Sequence, residues 1–297
     1  MAKVWFITGS SRGLGRSLAQ AVLKAGDTVI ATARNVEQLE DLKDIYPNQI
    51  YLVKLDVTDT VQIREAVNQA IELTGRIDVL VNNAGFGITG AAEAFTEEQV
   101  NSQLMVNLYA PISITRAVLP HMRKQKSGRI IQISSIGGRV GNAGLSIYQA
   151  AKFGLAGFSE SLNKEVSLLG INVTSVEPGG FRTDWAGSSM NYAPDVPGYE
   201  NSIGAMKTLF TSGEFVPIGD PDKAAMAIME IVRTPEPPMH LVLGSEAICI
   251  LKKADETRSI EMEKWMALSL STDHKEAGTF YQSDEGKNYL KQRGIVL

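Results

Sequence analysis

Residues 4–15 read Val4-Trp5-Phe6-Ile7-Thr8-Gly9-Ser10-Ser11-Arg12-Gly13-Leu14-Gly15, and the fold turns on how they are read. Val4 to Thr8 is a short apolar run of the buried-strand kind, Gly9, Gly13 and Gly15 follow, and residues 17–24 are compatible with a helix. Glycines permit a tight turn and close approach of the backbone to a ligand, and free N–H groups at a helix start attract a pyrophosphate. The spacing is Gly-x-x-x-Gly-x-Gly, not the dinucleotide fingerprint Gly-x-Gly-x-x-Gly, so the turn alone reads as a nucleotide site or as a structural tight turn.

The strand-turn-helix unit repeats outward from there. Residues 28–33 predict a strand and a helix follows to about residue 46; residues 50–55 and 61–74 repeat the pair; residues 78–82 lead into a glycine-rich turn. This alternation predicts βαβ units and a parallel sheet covered on both faces. Beyond residue 95 the pattern gives one or two helices over 96–124, with Pro111 and Pro120 as kinks or starts, then a strand at 129–134, a helix at 146–169 and a strand at 171–176. From 185 to 221 prolines (194, 197, 217) and glycines (187, 198, 204, 213, 219) interrupt everything but a short helix at 201–210, which suits a lid or binding loop. A helix at 222–232 and a seventh strand at 240–243 follow. Residues 246–270, with Ile260, Trp265, Met266, Leu268 and Leu270, predict an amphipathic helix, and the residues from 272 a surface tail.

Composition removes several function classes. The 297 residues are 44% hydrophobic and 21% charged, which excludes disorder as the dominant state. With 29 basic and 33 acidic residues the formal charge is −4, so no global positive field gathers nucleic acid or anionic membrane. Arg116, Arg123, Lys124 and Lys126 cluster without interleaved aromatics and read as a solvated helix end. Cys249 is the one cysteine, which forbids an internal disulfide and fits a reducing cytosol, so a cytoplasmic location is expected. His121, His240 and His274 have no metal-ligand spacing, and no metal is expected. No apolar stretch approaches eighteen residues, and the run at 4–7 is too short for a signal-peptide core.

Charge at the strand ends bears on a cofactor. An NAD site calls for an acid some 20 residues beyond the glycines. Here the second strand closes Ala31-Thr32-Ala33-Arg34 with no acid before Glu37. Arg34 and Arg12 can clamp a 2'-phosphate, which points to NADP(H); the alternative is two solvated surface charges. Asp56, in Leu55-Asp56-Val57-Thr58, can accept from an adenine amine while Val57 packs on the ring, or Asp56 or Thr58 caps the next helix. Asn82-Asn83-Ala84-Gly85 offers amides suited to a ribose and to supporting a neighbouring loop.

Chemistry is concentrated at Ser134-Ser135 and Tyr148-Gln149-Ala150-Ala151-Lys152. Tyr148 and Lys152 are four apart, hence on one helical face. An ammonium beside the phenol lowers a pKa that is ordinarily about 10 and makes the tyrosine a general acid or base. Ser135 can hydrogen-bond the same substrate oxygen. The plainer reading is that Tyr and Lys at this spacing decorate a partly exposed helix.

Taken in order, TGSSRGLG at 8–15, NNAG at 82–85, Asn107, Ser135, YQAAK at 148–152, PG at 178–179 and Thr183 make the chain resemble the classical short-chain dehydrogenase/reductase family from residue 3 to about 243. The resemblance implies an α/β fold, a Rossmann-like doubly wound sheet of about seven parallel strands with helices on both faces. It implies one catalytic domain over 1–244, and the extension at 245–297 is expected to pack on it. It implies a catalytic tetrad in which Tyr148 donates the proton, Ser135 orients the substrate oxygen, Lys152 holds the nicotinamide ribose and tunes the tyrosine, and Asn107 holds a relay water. The expected cofactor residues are Gly9, Ser11, Arg12, Gly13, Leu14, Gly15, Arg34, Asp56, Val57, Asn83, Ala84, Gly85, Tyr148, Lys152, Pro178, Gly179 and Thr183. Ser135, Leu145, Tyr148, Trp185 and Tyr192 are expected at the substrate, with Met190, Tyr199, Met206 and Phe210 completing an apolar lid.

The expectation is therefore NADPH-dependent reduction of an aldehyde or ketone, on a hydrophobic or bulky substrate. The longer tail resembles a carbonyl and steroid or retinol reducing subgroup. The alternatives are an NAD-linked alcohol dehydrogenase and a nucleotide-sensing regulator that does not turn over. Family members commonly pair through two long helices, here 96–124 and 146–169, so a homodimer is expected, with no nucleic-acid or membrane partner.

Overall fold

The buried strand Val4–Ile7 divides its side chains between two cores: Trp5 and Ile7 enter one, Val4 and Phe6 the other. Alternate residues of a strand point to opposite faces, so a run that is apolar throughout belongs in a sheet covered on both sides. The computed structural model describes residues 2–186, 190–212, 216–277 and 280–295, and divides the chain into two units, 1–251 and 252–297. Gly187 and Gly213, and the side chain of Phe210, lie outside the described residues.

In chain order the strands are β1 Val4–Ile7, β2 Thr28–Ala33, β3 Ile50–Lys54, β4 Val79–Asn82, β5 Gly87–Thr89, β6 Gly128–Ile133, β7 Ile171–Pro178, β8 Met190–Tyr192 and β9 His240–Leu243. The helices are α1 Gly13–Lys24, α2 Glu40–Ile45, α3 Thr60–Thr74, α4 Glu97–Leu104, α5 Ala110–Gln125, α6 Ser146–Val166, α7 Ala205–Thr211, α8 Pro221–Arg233, α9 Ser245–Leu270 and α10 Asp284–Gln292. Seven strands form one parallel sheet in the order β3-β2-β1-β4-β6-β7-β9, a doubly wound arrangement whose winding reverses between β1 and β4. Trp5 and Ile7 meet Leu18 and Val22 of α1 and Ile228 and Val232 of α8 on one face. Phe6 meets Ile63 and Val67 of α3, Ile114 and Val118 of α5 and Leu162 of α6 on the other. Each such side chain contributes roughly 1.5–3 kcal/mol by leaving water.

Local chemistry sets the element ends. Asp59 caps α3, its Oδ1 accepting from Val61 N at 2.8 Å and Gln62 N at 3.1 Å, and Gly75 (φ 74°) closes it. The capping choice offered by the sequence, Asp56 or Thr58, is thereby corrected.

The structure differs from the sequence expectation in three further places. Helix α1 begins at Gly13 rather than 17, because Arg12 is already the extended N-cap residue and the glycine turn is the first helical turn. The 96–124 stretch is two helices, one of the two options the sequence left open, joined by a π turn, Met105–Tyr109. Within the lid, β8 pairs with β5 and Ala193 N donates to Thr89 O at 2.9 Å, so the segment contains a strand where none was expected. The C-terminal tail is partly helical: Ser283 caps α10, accepting from Gly286 N at 3.0 Å, and the Phe280 and Tyr289 rings meet at 5.8 Å.

Residues 245–270 are helical, yet Ile260, Trp265, Met266, Leu268 and Leu270 are all exposed. At 100° per residue these five positions scatter around the circumference, so the expected amphipathic stripe does not form. Among the described residues, no helix is long and apolar enough to cross a membrane.

Candidate active site at the carboxyl ends of the strands

The turns after β1 and β4 lock together through Thr8. Its Oγ1 accepts from Asn83 N at 2.9 Å and Ala84 N at 3.0 Å, while Asn83 Nδ2 donates to Thr8 O at 2.9 Å and Gly9 O at 3.1 Å. The Asn83 Nδ2 thus supports the glycine turn, one of the two roles the sequence offered this tetrad. Asn82 is wholly structural, its Nδ2 donating to Thr115 Oγ1 and Gln132 Oε1, both at 3.0 Å.

Gly9 takes φ 65° with Ala84 Cα at 3.0 Å from where a Cβ would sit. A Cβ on Gly15 would overlap Gly9 O and Asn83 Nδ2. Overpacking of this kind costs about 1–3 kcal/mol. Gly15→Ala is therefore expected to lower Tm by at least about 3 °C and to displace the turn. A thermal melt within 1 °C of the unmodified protein (roughly the size of a negligible change) would count against this packing.

These turns open onto a cleft of about 730 Å³. Gly9, Ser11, Arg12, Gly13, Leu14, Arg34, Asp56, Val57, Asn83, Ala84 and Gly85 line one part; Asn107, Ser135, Leu145, Tyr148, Lys152, Pro178, Gly179, Thr183 and Trp185 line the rest. Two expected residues are absent from the lining. Gly15 serves packing behind the turn, and Tyr192 yields to its neighbour Asn191, because successive residues of β8 point to opposite sides. Of the other lid residues, Met190 is buried against Gly87. The Tyr199 hydroxyl donates to Glu93 Oε1 at 2.8 Å, and neither Tyr199 nor Met206 lines the cleft.

Sequence reasoning missed Phe86, Ser102, Val106, Asn142, Gln149, Phe181, Asp184 and Asn191, which also line the cleft. Gln149 lies inside a motif, and Phe86, Val106 and Asp184 each adjoin a motif residue, so that proximity was the available signal.

The chemistry-bearing residues converge on the ends of β6 and α6. Tyr148 and Lys152 are both buried. Lys152 Nζ donates to Ile133 O at 2.8 Å and lies 5.8 Å from the Tyr148 ring centroid. Ser135 hydrogen-bonds the Tyr148 hydroxyl, and its Oγ accepts from Gly137 N at 3.0 Å. Trp185 tilts its ring against that of Tyr148, centroids 5.3 Å apart.

Burial pushes the Tyr148 phenol up to about 12, and the Ser135 hydrogen bond works the other way without prevailing. Burial likewise pushes Lys152 down to about 8. Desolvation, not the expected lowering by the lysine, governs the phenol, and the arrangement presents a protonated phenol at neutral pH. Asn107, in the π turn, is fully buried; Nδ2 donates to Phe86 O at 2.8 Å and Oδ1 accepts from Phe86 N at 3.2 Å. π turns of this kind recur at functional sites.

The cleft fits a dinucleotide by its own chemistry. No side chain caps α1 and no acid lies in its first turn, so its leading N–H groups face an electropositive opening. Arg34, at the end of β2, is exposed and has no ion-pair partner among the described residues. The buried Ser134 Oγ, in the cleft wall, has no hydrogen-bond partner among them either.

A model of the short chain dehydrogenase family matches residues 3–192. The chain is similar to oxidoreductase BOA17 of Botryotinia fuckeliana, 44% identical over 273 residues that cover 92% of this chain and 100% of that protein. Among solved structures it is similar to a short-chain dehydrogenase from Streptomyces avermitilis, with TM-score 0.88 and 40% identity over 92% of this chain and 100% of that one. It is also similar to a metagenomic short-chain oxidoreductase in complex with NADP, with TM-score 0.65 and 26% identity over 81% of this chain and 96% of that one. With the parallel sheet, the glycine turn and the Ser135, Tyr148 and Lys152 cluster arranged as described, the chain belongs to the short-chain dehydrogenase family of oxidoreductases.

Proposed function

We propose that this protein reduces an aldehyde or ketone to the alcohol with NADPH. The observation that carries the reading is the cluster of Ser135 with the buried Tyr148 and Lys152 in the same cleft as the glycine turn and Arg34. The glycine turn and α1 amino terminus would hold the pyrophosphate, Arg12 and Arg34 the 2'-phosphate, Asp56 and Val57 the adenine, and Lys152, Pro178, Gly179 and Thr183 the nicotinamide half. The NADP bound to the metagenomic relative is consistent with this. When bound, such a cofactor supplies the hydride.

The chain's own groups handle the proton. Ser135 hydrogen-bonds the substrate oxygen and holds it beside the Tyr148 hydroxyl, and Tyr148 gives that oxygen its proton. The Lys152 ammonium stabilises the phenolate left behind. Buried Asn107, fixed through Phe86, would hold the relay water from which a replacement proton reaches Tyr148. Phe86, Val106, Leu145 and Trp185 give the substrate end an apolar wall, which favours a hydrophobic or bulky carbonyl. A homodimer belongs to the same reading, supported by exposed Tyr109 beside α5 and Phe153 on α6, as does a cytoplasmic location.

The test is turnover of purified protein on a panel of aldehydes and ketones, with NADPH and NADH compared. NADPH should be consumed fastest with apolar ketones. Cofactor binding without turnover on any carbonyl would replace this reading with a non-catalytic nucleotide sensor.

A further inference from the structure

Glu177 is fully buried in β7, one residue before the Pro178-Gly179 turn, at a position where a sheet interior ordinarily holds an apolar side chain. A carboxylate there is costly unless it is fully paired. It is paired three ways: Oε1 faces His240 Nδ1 at 2.6 Å and accepts from Ser175 Oγ at 3.2 Å, and Oε2 accepts from Arg139 Nη1 at 3.3 Å. His240 Nε2 in turn faces Glu160 Oε1 at 3.2 Å. Partners from β7, β9 and the loop after β6 therefore meet on one carboxylate.

The Arg139 contact links this group to the chemistry. Arg139 ends the short turn that starts at Ser135: Gly138 N donates to Ser135 O at 2.9 Å and Arg139 N to Ile136 O at 2.9 Å. The amide of Gly137, inside that turn, donates to the Ser135 hydroxyl. At the far end, Gln149 beside Tyr148 holds the same loop, its Nε2 donating to Val140 O at 3.0 Å and its Oε1 accepting from Asn142 N at 2.7 Å. The loop is thus pinned on one side by the helix that carries Tyr148 and on the other by Glu177.

Resting on the reading of Ser135 and Tyr148 given above, we infer that Glu177 is a positioning residue, acting through Arg139 to hold the Ser135 hydroxyl in register with the Tyr148 hydroxyl. Misplacement of a reacting group by about 1 Å costs up to ~100-fold in rate. A loop that loses one of its two anchors lets the Ser135 hydroxyl slip by a fraction of that, so an expected loss of about tenfold in kcat follows.

Both single variants leave a foldable protein. In Arg139→Met the carboxylate keeps Ser175 and His240; in Glu177→Gln the partly exposed Arg139 reaches water. Each should lower kcat by about tenfold and leave NADPH affinity and its KM unchanged; Tm should fall more in Arg139→Met, which leaves a buried carboxylate without its cation, than in Glu177→Gln. The double variant should lose no more than the worse single, because one tether is cut once. Arg139→Lys should recover part of the loss.

Amide hydrogen exchange over residues 135–142 should quicken in both variants while that of β1 and α1 does not. This readout needs no turnover, so it stays decisive if no carbonyl is reduced and the functional reading fails. Unchanged exchange over 135–142, losses that multiply in the double variant, or a fall in NADPH affinity that tracks kcat would each overturn the assignment and leave Glu177 a structural charge.

Discussion

Tyr148→Phe is expected to reduce kcat for carbonyl reduction by 10² to 10⁴, the usual range for removing a positioned general acid (roughly,), while NADPH still binds. The substitution removes one hydroxyl from a buried ring whose packing against Trp185 survives. The lost hydrogen bond to Ser135 is worth about 1 kcal/mol, so the melting temperature should move by no more than about 4 °C. The pH dependence separates the two basic groups. The phenol, held up at about 12, stays protonated throughout the assay range. Lys152, brought down to about 8, carries its charge below that pH and loses it above. The rate of reduction should therefore be level on the acid side and fall as pH rises through about 8, as the ammonium that stabilises the phenolate is lost. Retention of most of kcat in Tyr148→Phe would assign the proton to another group, and a level profile through pH 8 would remove Lys152 from that role.

How far this site could be read from the sequence depended on whether its chemistry has a spacing. Tyr148 and Lys152 are legible because four residues is one helical turn, and Arg34 is legible because it stands where an acid is otherwise needed. The strands were legible for a similar reason, since Val4-Trp5-Phe6-Ile7 has no polar alternation. What was not legible depends on burial or on pairing between distant segments. Whether desolvation or the lysine governs the Tyr148 phenol is settled by enclosure, which leaves no periodic mark. Asn191 rather than Tyr192 faces the cleft because β8 pairs with β5, a hundred residues back, and a one-residue change of register reverses the faces. Asn82 and Asn83 look alike in sequence, yet one joins a buried network with Thr115 and Gln132 and the other ties the glycine turn. Glu177 and His240 meet across 63 residues through the register of β7 and β9, and neither is part of a motif.

Arg34→Asp is expected to invert the cofactor preference. Arg34 ends β2 at the rim of the cleft, and Arg12 occupies the N-cap position of α1 within the same lining. The only difference between the two cofactors is the 2'-phosphate, so discrimination must come from groups at this rim. Guanidinium-to-phosphate hydrogen bonds contribute about 1.5–3 kcal/mol each, and an aspartate at residue 34 adds repulsion to that loss. NADPH affinity should fall by about 100-fold or more, since every ~1.4 kcal/mol is tenfold. NADH should gain instead, because a carboxylate at this strand end can accept from both free ribose hydroxyls. Salt gives a second readout. The unmodified protein should lose NADPH affinity as ionic strength rises while its weaker NADH affinity barely moves, and Arg34→Asp should show neither difference. Titration of both cofactors into both proteins decides the matter: equal affinities in the unmodified protein would show that Arg34 and Arg12 are solvated surface charges, whereas a preference that survives Arg34→Asp undiminished would place the phosphate on Arg12 alone.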